Sequence, residues 1–372
     1  MNFNRDSSNL DALRSFAVLL VIYDHLMVHF GIRESIMLSP RLLGLFGVFL
    51  FFVHTSFVLM YSLERQQQRQ PGQALFWPFI LRRCFRIYPL SVVAVTAYFL
   101  LIDFTPHHLF GWPTVTSSLG DHVSMPVFVS NLLLIQDLTG ASSPGGVPWT
   151  LPLEMHMYLF LPLLFLLSHR VGTKGLMLGL WPVAVVVALV QLKIHVGLEV
   201  LKHVPLFVPG VVCYSLSKTR PVLGAWALPV VLAASLTAYL LLCRVIPSQV
   251  AAGYPICLFV GLALPRITEV SNQAVRRAAH LIAKYSYGIY LAHPICIMLA
   301  FVWLRPLPAP AQWFAFLAFL CSLPFALYHG VEAPMIAAGN WLVTHLFSRQ
   351  QIKPRRVLRS ETHRRPGNGP PA

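Results

Sequence analysis

The sequence predicts an all-α, polytopic transmembrane helical bundle of about ten spans with both termini cytoplasmic. Three observations carry that class. Of the 372 residues, 56% are hydrophobic and only 11% charged, less than half the roughly 25% of a soluble domain. The apolar residues fall in repeated continuous runs long enough to cross a bilayer, and runs without period-two alternation read as helices rather than barrel strands. Lys and Arg are distributed with a strong side preference along those runs.

Taken in order, the spans cover approximately 10–30, 41–63, 85–104, 148–168, 175–196, 201–217, 222–243, 250–268, 279–304 and 311–346. The first is long, and polar residues are built into it, unlike a cleaved signal peptide. The stretch 123–138 is apolar but short and reads as a re-entrant or interfacial piece. The sixth span is short and interrupted by Pro205 and Pro209, and the tenth is long enough to bend near Pro324 or Pro334. If the N-terminus is inside and each span crosses once, 21 Lys and Arg lie inside and six outside, with Arg14 inside span one. The connection 105–147 carries none. The formal charge of +15 is therefore a positive-inside signal rather than a nucleic-acid footprint. Residues 1–347 read as one transmembrane domain and 348–372 as a basic, Pro- and Gly-rich, disordered cytoplasmic tail able to touch anionic lipid. No internal repeat and no appended soluble domain is expected. The six cysteines sit singly in or beside apolar runs, without metal-ligand spacing, so no disulfide framework and no metal site is expected.

Ionisable residues inside spans are costly and mark function by default. Arg14 and His25 are eleven residues apart, three helical turns, so they share a face and are separated by roughly 16 Å along the axis. With this topology Arg14 lies near the cytoplasmic interface and His25 in the outer half. Asp24, adjacent to His25, is expected to point elsewhere. Arg83 and Arg86, three apart at the cytoplasmic start of span three, face one way. They suit a topology anchor or bidentate phosphate binding. Glu154 sits less than two turns into a run entering from outside, and His25 is its expected partner. His156 is read as structural. His293 lies mid-membrane or beyond, Glu332 toward the cytoplasmic end of the last span, and His54 deep in span two.

In order and spacing these residues resemble the membrane acyltransferase family 3, the bacterial integral-membrane O-acyltransferases. The resemblance rests on Arg14 and His25, on the Arg-x-x-Arg of Arg83 and Arg86 followed by IYPL, and on WTLPLEMHMYLFLPLL, SYGIYLAHP and the late Glu332-x-Pro334. The middle motif resembles Trp-Ser-Leu-x-x-Glu-x-x-x-Tyr, with Thr150 at the Ser position, and Met155 stands where many members have a second acid. The fused extracytoplasmic esterase-like domain of some members is not expected here.

The resemblance implies O-acylation, most commonly O-acetylation, of a glycan by a multi-pass protein of the bacterial inner membrane. Cytoplasmic acyl-CoA, usually acetyl-CoA, is the donor substrate, and no bound cofactor is implied. On this reading Arg14, Arg83 and Arg86 hold the CoA phosphates. His25 takes the acceptor's proton, and Glu154 orients the imidazole or stabilises its cation. Trp149, Tyr158, His293 and Glu332 are assigned supporting places. The expected partners are acyl-CoA, the glycan or glycoconjugate and the bilayer, not nucleic acid, and the oligomeric state is open. The acceptor stays open among exopolysaccharide, lipopolysaccharide, a lipid-linked sugar, a nodulation-type oligosaccharide and a macrolide.

A proton-coupled transporter of an anionic or sugar substrate would use the same His and Glu as a relay, but the sequence carries no inverted repeat. A non-catalytic lipid- or glycan-binding subunit would show no acyl-CoA dependence. Reporter fusions after Gln68, Thr173, Lys218 and Arg276 should read cytoplasmic, and those after Ser117, Lys202 and Pro308 extracytoplasmic. A cytoplasmic reading at Ser117 would overturn the count from span three onward.

Overall fold

The computed structural model describes residues 7–32, 39–69, 75–104, 124–143, 148–194 and 198–348, and the basic tail from 349 lies outside them. In chain order the helices are α1 (Ser8–His29), α2 (Pro40–Arg69), α3 (Phe76–Phe104), α4 (Met125–Leu132), α5 (Gln136–Thr139), α6 (Thr150–Gly175), α7 (Trp181–Ile194), α8 (Glu199–Leu216), α9 (Ala227–Val245), α10 (Gln249–Ala263), α11 (Gln273–Ile297), α12 (Ala309–Leu327) and α13 (Ala333–Ser348). Among the described residues the β-structure is one isolated bridge, Leu223 to Ile267. The protein is an all-α polytopic bundle.

Among the described residues, eight stretches are helical, long and apolar enough to cross a membrane: Ser8–His29, Pro40–Arg69, Phe76–Ile102, Thr150–Ile194, Ala227–Val245, Gln249–Arg266, Gln273–Trp303 and Ala309–Phe347. Two of the ten segments expected from the sequence do not stand out as separate stretches of this kind. The segments taken as spans four and five run on through a π-turn, Leu176–Leu180, within one 45-residue helical stretch. Its break is Gly172, whose φ of 63° and ψ of −176° no β-carbon-bearing residue adopts cheaply. That residue falls between the two expected spans. The sixth segment, α8, is helical, but its first turns carry Glu199, Lys202 and His203. It also runs unbroken through Pro205 and Pro209. Pro209 lacks the N–H that would reach the Pro205 carbonyl, and Trp181 Nε1 donates to that carbonyl instead, at 3.1 Å. The last long segment bends where the sequence suggested, at a π-turn, Tyr328–Glu332, between Pro324 and Pro334. The 123–138 stretch forms two short helices, α4 and α5, rather than a span.

Helix α1 packs against both α2 and α11, and α8 covers α2. The stretches Pro40–Arg69 and Gln273–Trp303 are largely buried, whereas Ala309–Phe347 and Ala227–Val245 present most of their surface outward. Outward side chains such as Phe314, Leu178 and Val245 form the apolar exterior expected of a lipid-facing surface.

A clamp formed across some 260 residues sets the start of α1. The Ser7 hydroxyl accepts from Leu10 N at 3.3 Å, capping the helix, and donates to Glu269 Oε1 at 2.7 Å. Glu269 Oε2 accepts from the Ser8 hydroxyl at 2.8 Å and from Asn9 N at 3.0 Å. The Asn9 amide pairs with the Thr268 carbonyl and with Val270 N, both at 3.1 Å. The carboxylate meets unsatisfied N–H groups at the positive end of the helix dipole. Glu269→Ala should therefore lower stability by about 1–2 kcal/mol, read as a fall in thermal unfolding temperature in detergent. The exposed neighbouring change Thr268→Ala should leave it nearly unmoved.

Candidate active site

Two cavities lie at successive levels of the bundle along α1. The inner one, about 250 Å³, is lined by Arg14 from α1, by His54 and Arg65 from α2, by Arg83 and Arg86 from α3, and by Glu154 and Tyr158 from α6, among others. The outer one, about 480 Å³, is lined by Asp24 and His25 from α1, Arg41 from α2, Trp149 just before α6, His203 from α8 and Gln249 at the start of α10, with apolar residues between. Val48 and Tyr290 belong to both walls. The eleven-residue spacing thus puts Arg14 on one cavity and His25 on the next.

The inner cavity concentrates positive charge. Its wall carries four guanidinium groups and one carboxylate, Glu154, while Glu332, its side chain fully buried, sits behind Arg86 with Oε1 3.5 Å from Nη2. Arg14 is repelled by Arg86 and attracted by Glu332 and Glu154. The Nε atoms of Arg14 and Arg83 are buried without a hydrogen-bond partner among the described residues, and the Arg83 guanidinium lies 5.7 Å from the Phe79 ring centre. Arg82 turns away and donates to Gln66 at 2.9 Å. Only Arg83 and Arg86 of the three neighbouring arginines therefore serve the cavity, as their spacing predicts.

His25 is fixed in one tautomer. Its Nδ1 lies 2.9 Å from the Val21 carbonyl oxygen, which can only accept, so Nδ1 carries the proton and the neutral ring keeps its lone pair on Nε2. His293, fully buried, packs edge to face against it with ring centroids 4.8 Å apart. His293 Nδ1 is held in the same way by the carbonyls of Tyr290 at 2.8 Å and Ile289 at 3.2 Å.

Glu154 lies elsewhere than the sequence reading put it. It accepts from the Tyr158 hydroxyl at 2.7 Å and lines the arginine cavity, whereas His25 lines the outer one. The reason is where α6 begins. Counting from the outer surface assumed that the helix starts there. Instead Trp149 lines the outer cavity and Thr150 the inner one, with the Thr150 hydroxyl 2.7 Å from that of Tyr290. The helix starts between the two cavities, roofed by α5, whose Gln136 side chain donates to the Pro148 carbonyl at 3.1 Å. His156 pairs with Asp137 of α5 at 3.1 Å, the structural place expected for it. Asp24 does share the outer cavity with His25, because a cavity this wide spans the roughly 100° between adjacent helical side chains.

Arg41, His203 and Gln249 escaped the sequence reading. Arg41 and Gln249 flank spans and look like boundary residues, and nothing in their spacing joins them to α1. His54, noted only for its depth, lines the arginine cavity.

Comparison with known proteins adds the following. Residues 7–330 match the family model described as "Acyltransferase domain". "Putative acetyltransferase ORF330" of Acidianus two-tailed virus is 30% identical over 156 residues, 42% of this chain and 40% of that protein. "Nodulation protein 10" of Rhizobium leguminosarum bv. viciae is 27% identical over 194 residues, 48% of this chain and 51% of that protein. The chain thus spans about half or less of the length of these relatives. No solved structure matches. Because the family model spans nearly the whole bundle, both cavities included, the chain belongs to this acyltransferase family.

Proposed function

We propose that the protein is a membrane O-acyltransferase moving an acyl group, most simply acetyl, from cytoplasmic acyl-CoA to a hydroxyl of a glycan or glycoconjugate at the bacterial inner membrane. One observation carries this reading. A guanidinium-lined cavity at the level of Arg14 adjoins, across Val48 and Tyr290, a cavity holding an imidazole whose Nε2 has the lone pair. The printed name of one relative, "Putative acetyltransferase ORF330", fits an acetyl donor.

The phosphates of CoA suit the arginine cavity, where planar guanidinium groups give bidentate contacts. The slender pantetheine arm then carries the thioester toward the shared wall. The acceptor oxygen attacks the thioester carbonyl while His25 Nε2 takes its proton. As the tetrahedral intermediate collapses, the C–S bond breaks, the thiolate takes the proton from the imidazolium, and ester, free CoA thiol and neutral His25 result. On this geometry Glu154, with Tyr158, holds the guanidinium groups in place rather than orienting His25.

In proteoliposomes supplied with labelled acetyl-CoA, His25→Ala at normal abundance should abolish transfer. Retained turnover in purified protein would sink the mechanism. Arg83→Ala and Arg86→Ala should chiefly raise the donor KM, each lost charge-assisted contact costing about 1.5–3 kcal/mol, or roughly ten- to a hundredfold. Arg14→Lys should be partly tolerated, since an ammonium keeps the charge and loses the planar fork. Glu154→Gln separates two roles: a raised donor KM is expected if it organises the arginines, and a collapse of kcat if it shares the catalytic proton.

A further inference from the structure

The outer cavity differs from the inner one in charge, size and lining chemistry. We propose that it is a binding site for a neutral sugar ring, with Trp149 as the stacking platform and Asp24 and Gln249 as the groups that read hydroxyls. The proposal rests on the acyltransferase reading for its consequence, transfer to that ring, but not for the binding itself.

Charge comes first. The inner wall has four guanidinium groups against one lining carboxylate, and calls for an anion. The outer wall has one of each, Arg41 and Asp24, which act on each other electrostatically. A near-balanced wall with several hydrogen-bonding groups favours a neutral polyol over a phosphate or a uronate, because either anion would bring a charge with no matching excess.

Shape and chemistry agree. About 480 Å³ lies within the range of small-molecule sites and takes roughly one or two sugar rings. Trp149 is only partly covered and forms part of the wall. Its indole is braced by the His203 ring at 5.9 Å, and His203 is in turn pinned through Nδ1 to the Glu199 carbonyl at 2.9 Å. A pyranose offers an apolar C–H face to such a plane and a rim of hydroxyls around it.

Across the cavity, Asp24 Oδ1 is buried with no hydrogen-bond partner among the described residues. A buried carboxylate oxygen left so costs free energy unless a donor arrives, and a sugar hydroxyl is such a donor. The carboxyl group lies against Gly44, where an added β-carbon would stand 2.2 Å from Oδ2. Gln249 sits at the first position of α10, behind the Ser248 cap, and contributes both a donor and an acceptor. His25 is on the same wall, so a ring stacked on Trp149 and held by Asp24 has a hydroxyl beside Nε2.

The test is saturation-transfer NMR on the full-length protein in lipid nanodiscs without donor. The probes are the methyl glycosides of glucose, galactose, mannose and N-acetylglucosamine, with methyl glucuronide as the anionic control. At least one neutral glycoside should show transfer to its ring protons, undiminished by saturating CoA, and methyl glucuronide should bind more weakly. Trp149→Ala should weaken the bound glycoside about tenfold, and Gln249→Ala and Asp24→Asn should weaken it too, with CoA affinity in each variant within twofold of wild type. If Trp149→Ala fails to fold, as loss of CoA binding would show, Gln249→Ala decides alone. The proposal is overturned if no neutral glycoside binds, if CoA displaces the bound one, or if the folded variants bind as wild type does. Failure of the acyltransferase reading is a separate result: glycoside binding intact, with no acyl transfer from acetyl-CoA.

Discussion

The constraint from which the rest of the architecture follows is the burial of several guanidinium groups in one small cavity with too few carboxylates to match them. Each charge taken out of water into a low-dielectric interior costs several kcal/mol unless paired, and here Arg14, Arg83 and Arg86 share Glu154 on the wall and Glu332 behind it. The helices that supply these groups are therefore not free to slide. Helix α3 must present Arg83 and Arg86 together, α6 must start deep enough for Glu154 to reach the cluster, and the last segment must bend so that Glu332 arrives behind Arg86. The π-turn at Tyr328–Glu332 contains that carboxylate, and π-turns are common where a helix re-aims a functional side chain. The surplus of positive charge is maintained at the expense of stability.

Above that level the wall changes character within about three helical turns. Charges balance, an indole and several neutral hydrogen-bonding groups take over, and two imidazoles are fixed through Nδ1 by backbone carbonyls of their own helices. A helix supplies this tautomer lock at no cost in sequence, since a histidine's Nδ1 can reach the carbonyl one turn back. The two chemistries are thus segregated by depth, with Val48 and Tyr290 between them.

Much of this was legible in the sequence because helices are periodic. The Arg14–His25 face, the Arg83–Arg86 pair and the class of the fold all follow from spacing or from the continuous apolar runs. Depth was not legible in the same way. Glu154 was assigned to His25's level by counting from a surface, whereas α6 starts between the two cavities, with α5 held to the turn before it through Gln136 and the Pro148 carbonyl. Gln136 and Asp137, which hold that arrangement, look like ordinary loop residues. Asp24 was set aside by a rule about adjacent residues that holds for a flat contact and fails for a cavity of this width. Arg41, His203 and Gln249 come to the outer cavity from three different helices, and no local pattern joins them to α1. The interruption read from Pro205 and Pro209 is absent because one tertiary contact, the indole of Trp181, takes up the orphaned Pro205 carbonyl.

The clamp between Ser7–Asn9 and Glu269 has a bearing on how the molecule is made. The carboxylate that holds the tip of α1, the helix α11 that flanks it and the ring that faces His25 lie some 260 residues further along the chain. Closing so long a loop is paid for by contacts that do not exist until α11 has been made. During synthesis α1 can settle against α2, but its opposite face, with Asn9 unpaired, waits in the bilayer for a late partner. The completion of α1's packing and the meeting of the two imidazoles, His25 and His293, are then the same event.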